Sequence, residues 1–138
     1  MIALLIAAAV SVPAAEKIPA AARAVVVRYY DAIDHGRYRT AWRCWDRGGL
    51  ASGQSYAAFV RGFARTRHVR AMVGQPTDGD GAAGSVYVTV PVVVTATLKD
   101  GTAQRFHGSY TLRRVNDVDG ATAEQLRWHI GSAKLRRS

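Results

Sequence analysis

Apolar residues in the first half of the chain recur with the period of an α-helix. Over residues 21–35 they fall three and four positions apart, which predicts a helix that Gly36 ends. A second run, over residues 38–45, predicts a shorter helix. A third helix is predicted over residues 56–63, with Ser55 as its N-cap, since apolar residues lie on one side and arginines on the other.

After residue 67 the apolar period changes to two, which is typical of half-buried β-strands. Asp100-Gly101 interrupts the longest such stretch and predicts a tight hairpin there. Pro91 cannot donate to a strand ladder, so it predicts a bulge or a bend. Four segments carry the strand pattern: residues 68–76, 84–101, 102–115 and 124–136.

Helices followed by strands, with short connections, predict an α+β fold. We expect three N-terminal helices packed on a curved four-stranded antiparallel sheet. The chain has 138 residues, 49% hydrophobic and 21% charged, which suits one domain with its own core. That domain is expected to span residues 15–138.

The first residues have the pattern of an export signal. An apolar core over residues 2–10 is followed by Val12-Pro13-Ala14, a cleavage site of small residues, so residues 1–14 are interpreted as a signal peptide. The basic segment that normally precedes such a core is missing, and the alternative is the apolar first turn of a cytosolic helix. A signal peptide predicts a periplasmic or secreted protein whose mature chain has no transmembrane segment.

The formal net charge of +9 raises the question of an anionic partner. The basic residues are scattered and are not interleaved with aromatic residues, so nucleic acid is not expected as a partner and a solvated basic surface is favoured. Anionic lipid or cell-wall polymer remains the alternative.

Cysteine and histidine usage gives no sign of a metal site. Cys44 is the only cysteine, so an intramolecular disulfide is excluded, and its place between Trp42 and Trp45 favours a buried thiol. The four histidines are isolated from one another in sequence. We expect no metal and no cofactor.

The helix ending "YYDAIDHGRYRTAW", the strand "RWHI" and the order of elements resemble the nuclear transport factor 2-like superfamily over residues 17–136. That superfamily has a cone-shaped α+β fold and includes ketosteroid isomerase, scytalone dehydratase, SnoaL-like polyketide cyclases and secreted bacterial members of unknown role. The resemblance implies a cavity between the helices and the sheet. It also implies a homodimer through the exposed face of the sheet.

Isomerase-type members of that superfamily use a carboxylate base on the sheet, and no predicted strand interior of this chain carries a carboxylate. A dehydratase-like set would need a histidine and an aspartate beside tyrosines. His107 and His129 alternate away from the aromatic positions of their strands, which predicts that both face solvent or a dimer partner.

Asp34 is the sharper catalytic candidate. It follows Tyr30 by four residues on one helix, so both side chains lie on one strip, where Asp34 would be a base or a ligand anchor. The alternative is a solvated acid bonded to Arg37 or Arg39.

The expected function is non-catalytic: binding of a small apolar or anionic molecule, or a role as an assembly module. A small lyase or isomerase acting on a cyclic or polyketide-like substrate is the first alternative, and a basic envelope-interaction module is the second. The residues expected to line the cavity are apolar or aromatic: Tyr29, Ile33, Trp42, Trp45, Phe59, Phe63, Phe106, Tyr110 and Trp128.

Overall fold

The computed structural model describes residues 19–78, 84–116 and 119–138, so the predicted signal peptide lies outside the described residues. The helices are α1 (Pro19–Asp34), α2 (Tyr38–Trp42) and α3 (Tyr56–Gly62), with a 3-10 segment over Arg47–Ser52. The strands are β1 (Thr66–Val73), the short β2 (Thr77–Asp78), β3 (Ser85–Leu98), β4 (Ala103–Val115) and β5 (His129–Arg137). No helix in these ranges is long and apolar enough to cross a membrane.

The long strands form one antiparallel sheet in the order β1-β3-β4-β5, and β2 pairs with β3 beside β1. The predicted α+β class, with N-terminal helices on a four-stranded antiparallel sheet, is confirmed. The Asp100-Gly101 hairpin is also confirmed: the Thr102 amide donates to the Asp100 carboxylate at 2.9 Å, and Gly101 has a φ of +89°.

The inner face of the sheet is the one that the helices cover. Helix α1 buries Val25, Val26, Tyr29 and Ile33 against it, as the helical period predicts. Alternate residues of β3 supply the opposing surface, namely Val88, Val90, Val92 and Val94. The outer face carries the intervening positions, which are more polar.

The second helix is shorter than its pattern predicts. It ends at Trp42, because Cys44 and Asp46 turn toward β5. The Ile130 amide donates to the Cys44 carbonyl at 2.7 Å, and the Asp46 amide donates to the Ile130 carbonyl at 2.8 Å. This pairing uses backbone groups that a longer helix would have needed for itself.

Of the bulge or bend expected at Pro91, the bulge is absent from the β3–β4 ladder, where Pro91 faces Ser109 in unbroken register. The Pro91 carbonyl accepts from the Gly74 amide at 2.8 Å, so the proline nitrogen faces the gap between β1 and β2. A missing N–H costs no ladder hydrogen bond there.

The fourth predicted strand begins later than expected, at His129. The preceding residues form a capped turn: the Thr122 amide donates to the Gln125 side chain at 2.9 Å, and the Gln125 amide donates to the Thr122 hydroxyl at 3.1 Å. Such reciprocal bonding stabilises a helix-like turn and not a strand.

Candidate functional site

A cavity of about 370 Å³ lies between α1, the end of α3 and the inner face of the sheet. Its walls are mainly aromatic and aliphatic, and a few polar groups converge on it, which is the usual character of a small-molecule site. The lining consists of Tyr29, Tyr30, Ile33, Gly62, Phe63, Thr66, Val69, Val94, Ala96, Gln104, Phe106, Tyr110, Leu135 and Arg137.

Three tyrosines form the buried end of the cavity. Tyr29 and Tyr30 are neighbours on α1, and Tyr110 projects from β4, with ring centroids 5.8 Å (Tyr29) and 5.9 Å (Tyr30) from that of Tyr110. The hydroxyl groups of Tyr30 and Tyr110 are hydrogen-bonded to each other. Burial raises the pKa of all three phenols well above the usual range. They therefore stay protonated, as hydrogen-bond donors and acceptors and not as bases.

The exposed end of the cavity carries Gln104 and Arg137. Arg137 faces Phe106 across the β4–β5 ladder, so its side chain lies on the inner face. Arg137 is the one formally charged residue of the lining, and it forms no ion pair among the described residues. This arrangement leaves a cation available at the mouth of an apolar chamber.

The structure brings five of the expected lining residues to the cavity: Tyr29, Ile33, Phe63, Phe106 and Tyr110. The other four lie elsewhere in the described chain.

Trp45 and Phe59 pack behind Tyr29, at 6.2 and 6.3 Å between ring centroids. Trp42 lies against Tyr56 and donates to the Gln54 carbonyl at 3.2 Å. Trp128 is buried beside Arg114. Trp45 and Phe59 therefore support the wall without forming its surface, whereas Trp42 and Trp128 contact residues outside the lining.

Asp34 does not line the cavity, although Tyr30 does. The Asp34 carboxylate accepts from the Val69 amide at 2.9 Å and lies 3.3 Å from Nδ1 of His68, in a shallow groove between α1 and β1. Neither Arg37 nor Arg39 binds it. Arg37 pairs with Asp31 at 2.7 Å, and the Arg39 guanidinium lies over the Tyr56 ring, 4.0 Å from its centroid. The Val69 hydrogen bond is the main cause that lowers the Asp34 pKa.

The two strand histidines differ in environment. His107 is exposed on the outer face, with Nδ1 2.7 Å from the Ser138 hydroxyl. Strand alternation predicts His129 at the surface, and that prediction is wrong: the residue is buried, with Nε2 2.6 Å from the Glu124 carboxylate. The capped turn before β5 brings Glu124 over it, which alternation within one strand does not reveal.

Within the described ranges, no three His, Cys, Asp or Glu side chains are grouped so that they could hold a metal ion.

No protein-family model matches the sequence, and neither does any curated protein. Solved structures do match. A proposed aromatic ring hydroxylase from Novosphingobium aromaticivorans aligns with a TM-score of 0.59 and 13% identity, covering 93% of this chain and 96% of that one. A proposed scytalone dehydratase from the same organism has a TM-score of 0.55 and 13% identity, over 83% and 80% of the two chains.

Aln2 from a Streptomyces species has a TM-score of 0.50 and 16% identity, over 83% of this chain and 85% of its own. Identities this low show a shared fold and no shared activity. The described chain has the α+β fold of the nuclear transport factor 2-like proteins.

Proposed function

We propose that the protein binds a small, mainly apolar cyclic molecule that carries an acidic group. The observation that carries this proposal is the polarity of the cavity, which has an apolar chamber, a pair of neutral phenols at its buried end and a single cation at its mouth. A ring system would occupy the chamber, and its carboxylate would meet Arg137.

Binding is favoured over catalysis because the lining lacks a base. Among the described residues, neither a carboxylate nor an imidazole faces the cavity. The three phenols have raised pKa values and do not accept a proton near neutral pH. Reactions that begin by abstracting a proton need such a group within hydrogen-bond reach.

A lyase or isomerase remains the second candidate, since the Tyr30–Tyr110 pair has one hydroxyl hydrogen left to donate to a ligand. A carbonyl at that point would be polarised, as in oxyanion stabilisation. Two of the similar structures are described as a hydroxylase and a dehydratase. At 13% identity, these descriptions apply to those two proteins only. The argument for catalysis in this chain therefore rests on the Tyr30–Tyr110 hydroxyl pair alone.

The test is calorimetric titration with 2-naphthoate and with its neutral counterpart, 2-naphthamide. We expect the carboxylate to bind about tenfold more tightly than the amide, because it forms a charge-assisted hydrogen bond to Arg137. Arg137→Gln should reduce 2-naphthoate binding to the level of the amide. Arg136→Gln is the matched control: it is the adjacent residue and points to the outer face, so it should change neither affinity.

Equal affinity for both probes in the wild-type protein would refute the role of Arg137. Binding of neither probe, with no molecule retained in native mass spectra of the protein from its source cells, would refute the binding function itself. Conversion of a bound compound that stops in Tyr110→Phe would favour the enzyme instead.

Two expectations from the sequence stay predictions. Export through residues 1–14 is checked by N-terminal sequencing of the mature protein. A homodimer through the outer face of the sheet excludes any other partner of that face, and native mass spectrometry of the wild type and of outer-face variants decides whether it forms.

A further inference from the structure

The outer face of the sheet is a second surface whose chemistry differs from that of the cavity. The strands β1, β3, β4 and β5 contain no aspartate and no glutamate. Strand register places five cations on their outer face: Arg113, which is half-buried and pairs with Asp46 at 2.8 Å, and four exposed residues, Arg70, Arg105, Lys134 and Arg136. None of the four forms an ion pair among the described residues.

The register also shows how these residues are arranged. One row across the strands reads Met72, Val93, His107 and Arg136, and the next reads Pro91, Ser109 and Lys134. Met72, Pro91 and Val93 therefore form an apolar patch on β1 and β3, with Arg70 and Arg105 in the neighbouring row and Lys134 and Arg136 on β5. Adjacent strands lie about 4.8 Å apart, so the backbones of Met72 and Arg136 are within about 15 Å of each other.

Met72 is the most exposed member of this apolar patch, with 74% of its surface accessible. With Val73, Pro91 and Val93 it borders a shallow groove that contains no charged side chain. A lone exposed apolar side chain is ordinary, but contiguous apolar residues beside cations mark an interaction site.

From this arrangement we infer that the outer face docks on an anionic lipid bilayer. Peripheral attachment to a bilayer combines apolar side chains in the interface with lysine and arginine near acidic headgroups, and this face presents both. A soluble polyanion would use the cations and leave Met72 without a role. Two copies of the chain meeting on this face would bring like charges together, and none of the four exposed cations has an acidic partner among the described residues that would offset them.

The test is co-sedimentation with vesicles of phosphatidylcholine alone and with vesicles of equal parts phosphatidylcholine and phosphatidylglycerol. Binding is expected only to the anionic vesicles and should weaken with salt. The double variant Lys134→Ser/Arg136→Ser should bind about thirtyfold more weakly, since each cation near an anionic bilayer contributes roughly a factor of five. Met72→Ser should also weaken binding.

Matched controls exist on and beside the helices. Arg43→Ser/Arg61→Ser removes the same charge from exposed positions, and Val27→Ser removes an apolar side chain of α1 that is 43% exposed. Both controls should bind as the wild type does. Circular dichroism of each variant separates loss of binding from loss of fold.

Three results would each overturn the inference. The first is no sedimentation with the anionic vesicles, and the second is equal weakening in the two double variants, which would make net charge alone responsible. The third is a native dimer that Lys134→Ser/Arg136→Ser dissociates, which would make this face an interface between two copies.

Discussion

Replacing Asp34 with alanine tests the contact that joins the end of α1 to β1. The carboxylate accepts the amide hydrogen of Val69, a residue only 6% exposed, at 2.9 Å. Without Asp34, that partly buried amide loses its partner. A hydrogen bond to a charged acceptor contributes about 1.5–3 kcal/mol.

Two effects reduce the expected cost. The Asp34 side chain is 24% exposed, so water can replace part of the interaction. An acid near a helix C-terminus is also unfavourable by roughly 0.3–1 kcal/mol, which the substitution relieves. We expect Asp34→Ala to lower the free energy of unfolding by about 1.5 kcal/mol and the melting temperature by roughly 4–8 °C.

Asp31→Ala is the matched control. Asp31 lies on the same helix and pairs with Arg37 at 2.7 Å, but its side chain is 53% exposed. Exposed ion pairs contribute about 0–1 kcal/mol, so the control should cost less than Asp34→Ala in urea denaturation at pH 7. Equal destabilisation by the two variants would refute the contribution assigned to the Val69 contact.

The same contact gives a pH dependence. The folded-state pKa of Asp34 is below its ordinary value of 3.8, chiefly through the Val69 hydrogen bond, so the unfolded chain binds the proton more readily. The stabilisation is present above a pH of about 4 and is lost as pH falls through the folded-state pKa. The difference between wild type and Asp34→Ala should shrink in that window. A constant difference down to acid unfolding would contradict the role of the charge.

Three further outcomes are expected. Tyr110→Phe should lower the free energy of unfolding by about 1–2 kcal/mol, because it leaves the Tyr30 hydroxyl buried without its partner. The double variant Tyr30→Phe/Tyr110→Phe should lose less stability than the sum of the two single variants. Additive losses in a urea double-mutant cycle would argue against the hydroxyl pair. Gly108→Ala should cost about 3 kcal/mol or more, because its Cβ would overlap the Lys134 carbonyl oxygen. Gly131→Ala, whose Cβ would meet nothing closer than 3.5 Å, should stay within about 1 kcal/mol of wild type in the same denaturation assay. In alkaline titration, Tyr29, Tyr30 and Tyr110 should ionise only as the chain unfolds, because burial raises their pKa values. Tyr→Phe variants assign each ionisation to its residue. If these three tyrosines ionised at the same pH as exposed tyrosines, they would be accessible to water.

Local patterns are sufficient to predict much of the fold. Three features depend on residues close in sequence: the helical stripe of α1, the N-cap at Ser55 and the Asp100-Gly101 turn. At the N-cap, the Ser55 hydroxyl accepts from the Ala58 amide at 3.1 Å. The early end of α2 depends on Ile130, far along the chain, so a local pattern could not show it.

The candidate site is harder to predict for the same reason. Helical period places Tyr29 and Ile33 inward, but it does not distinguish a ring on the cavity surface from one behind it, such as Trp45. The acceptor role of Asp34 depends on the position of β1 relative to α1. Arg137 lies at the cavity mouth because it pairs with Phe106 across the β4–β5 ladder. The sequence of a single strand does not show how that strand pairs with its neighbour.

A β-bulge in β5 determines which residues of that strand face the cavity and which lie on the outer face of the sheet. Thr111 pairs with Ser132 while Leu112 pairs with Ile130, so Gly131 is an extra residue in β5. If Gly131 were instead a regular strand residue, the alternation set by buried Ile130 would turn Lys134 and Arg136 inward. Because of it, Leu135 and Arg137 face the cavity while Lys134 and Arg136 face outward. The bulge therefore places a single cation of β5, Arg137, at the mouth of the apolar chamber. It places the other two cations of the strand, Lys134 and Arg136, on the outer face.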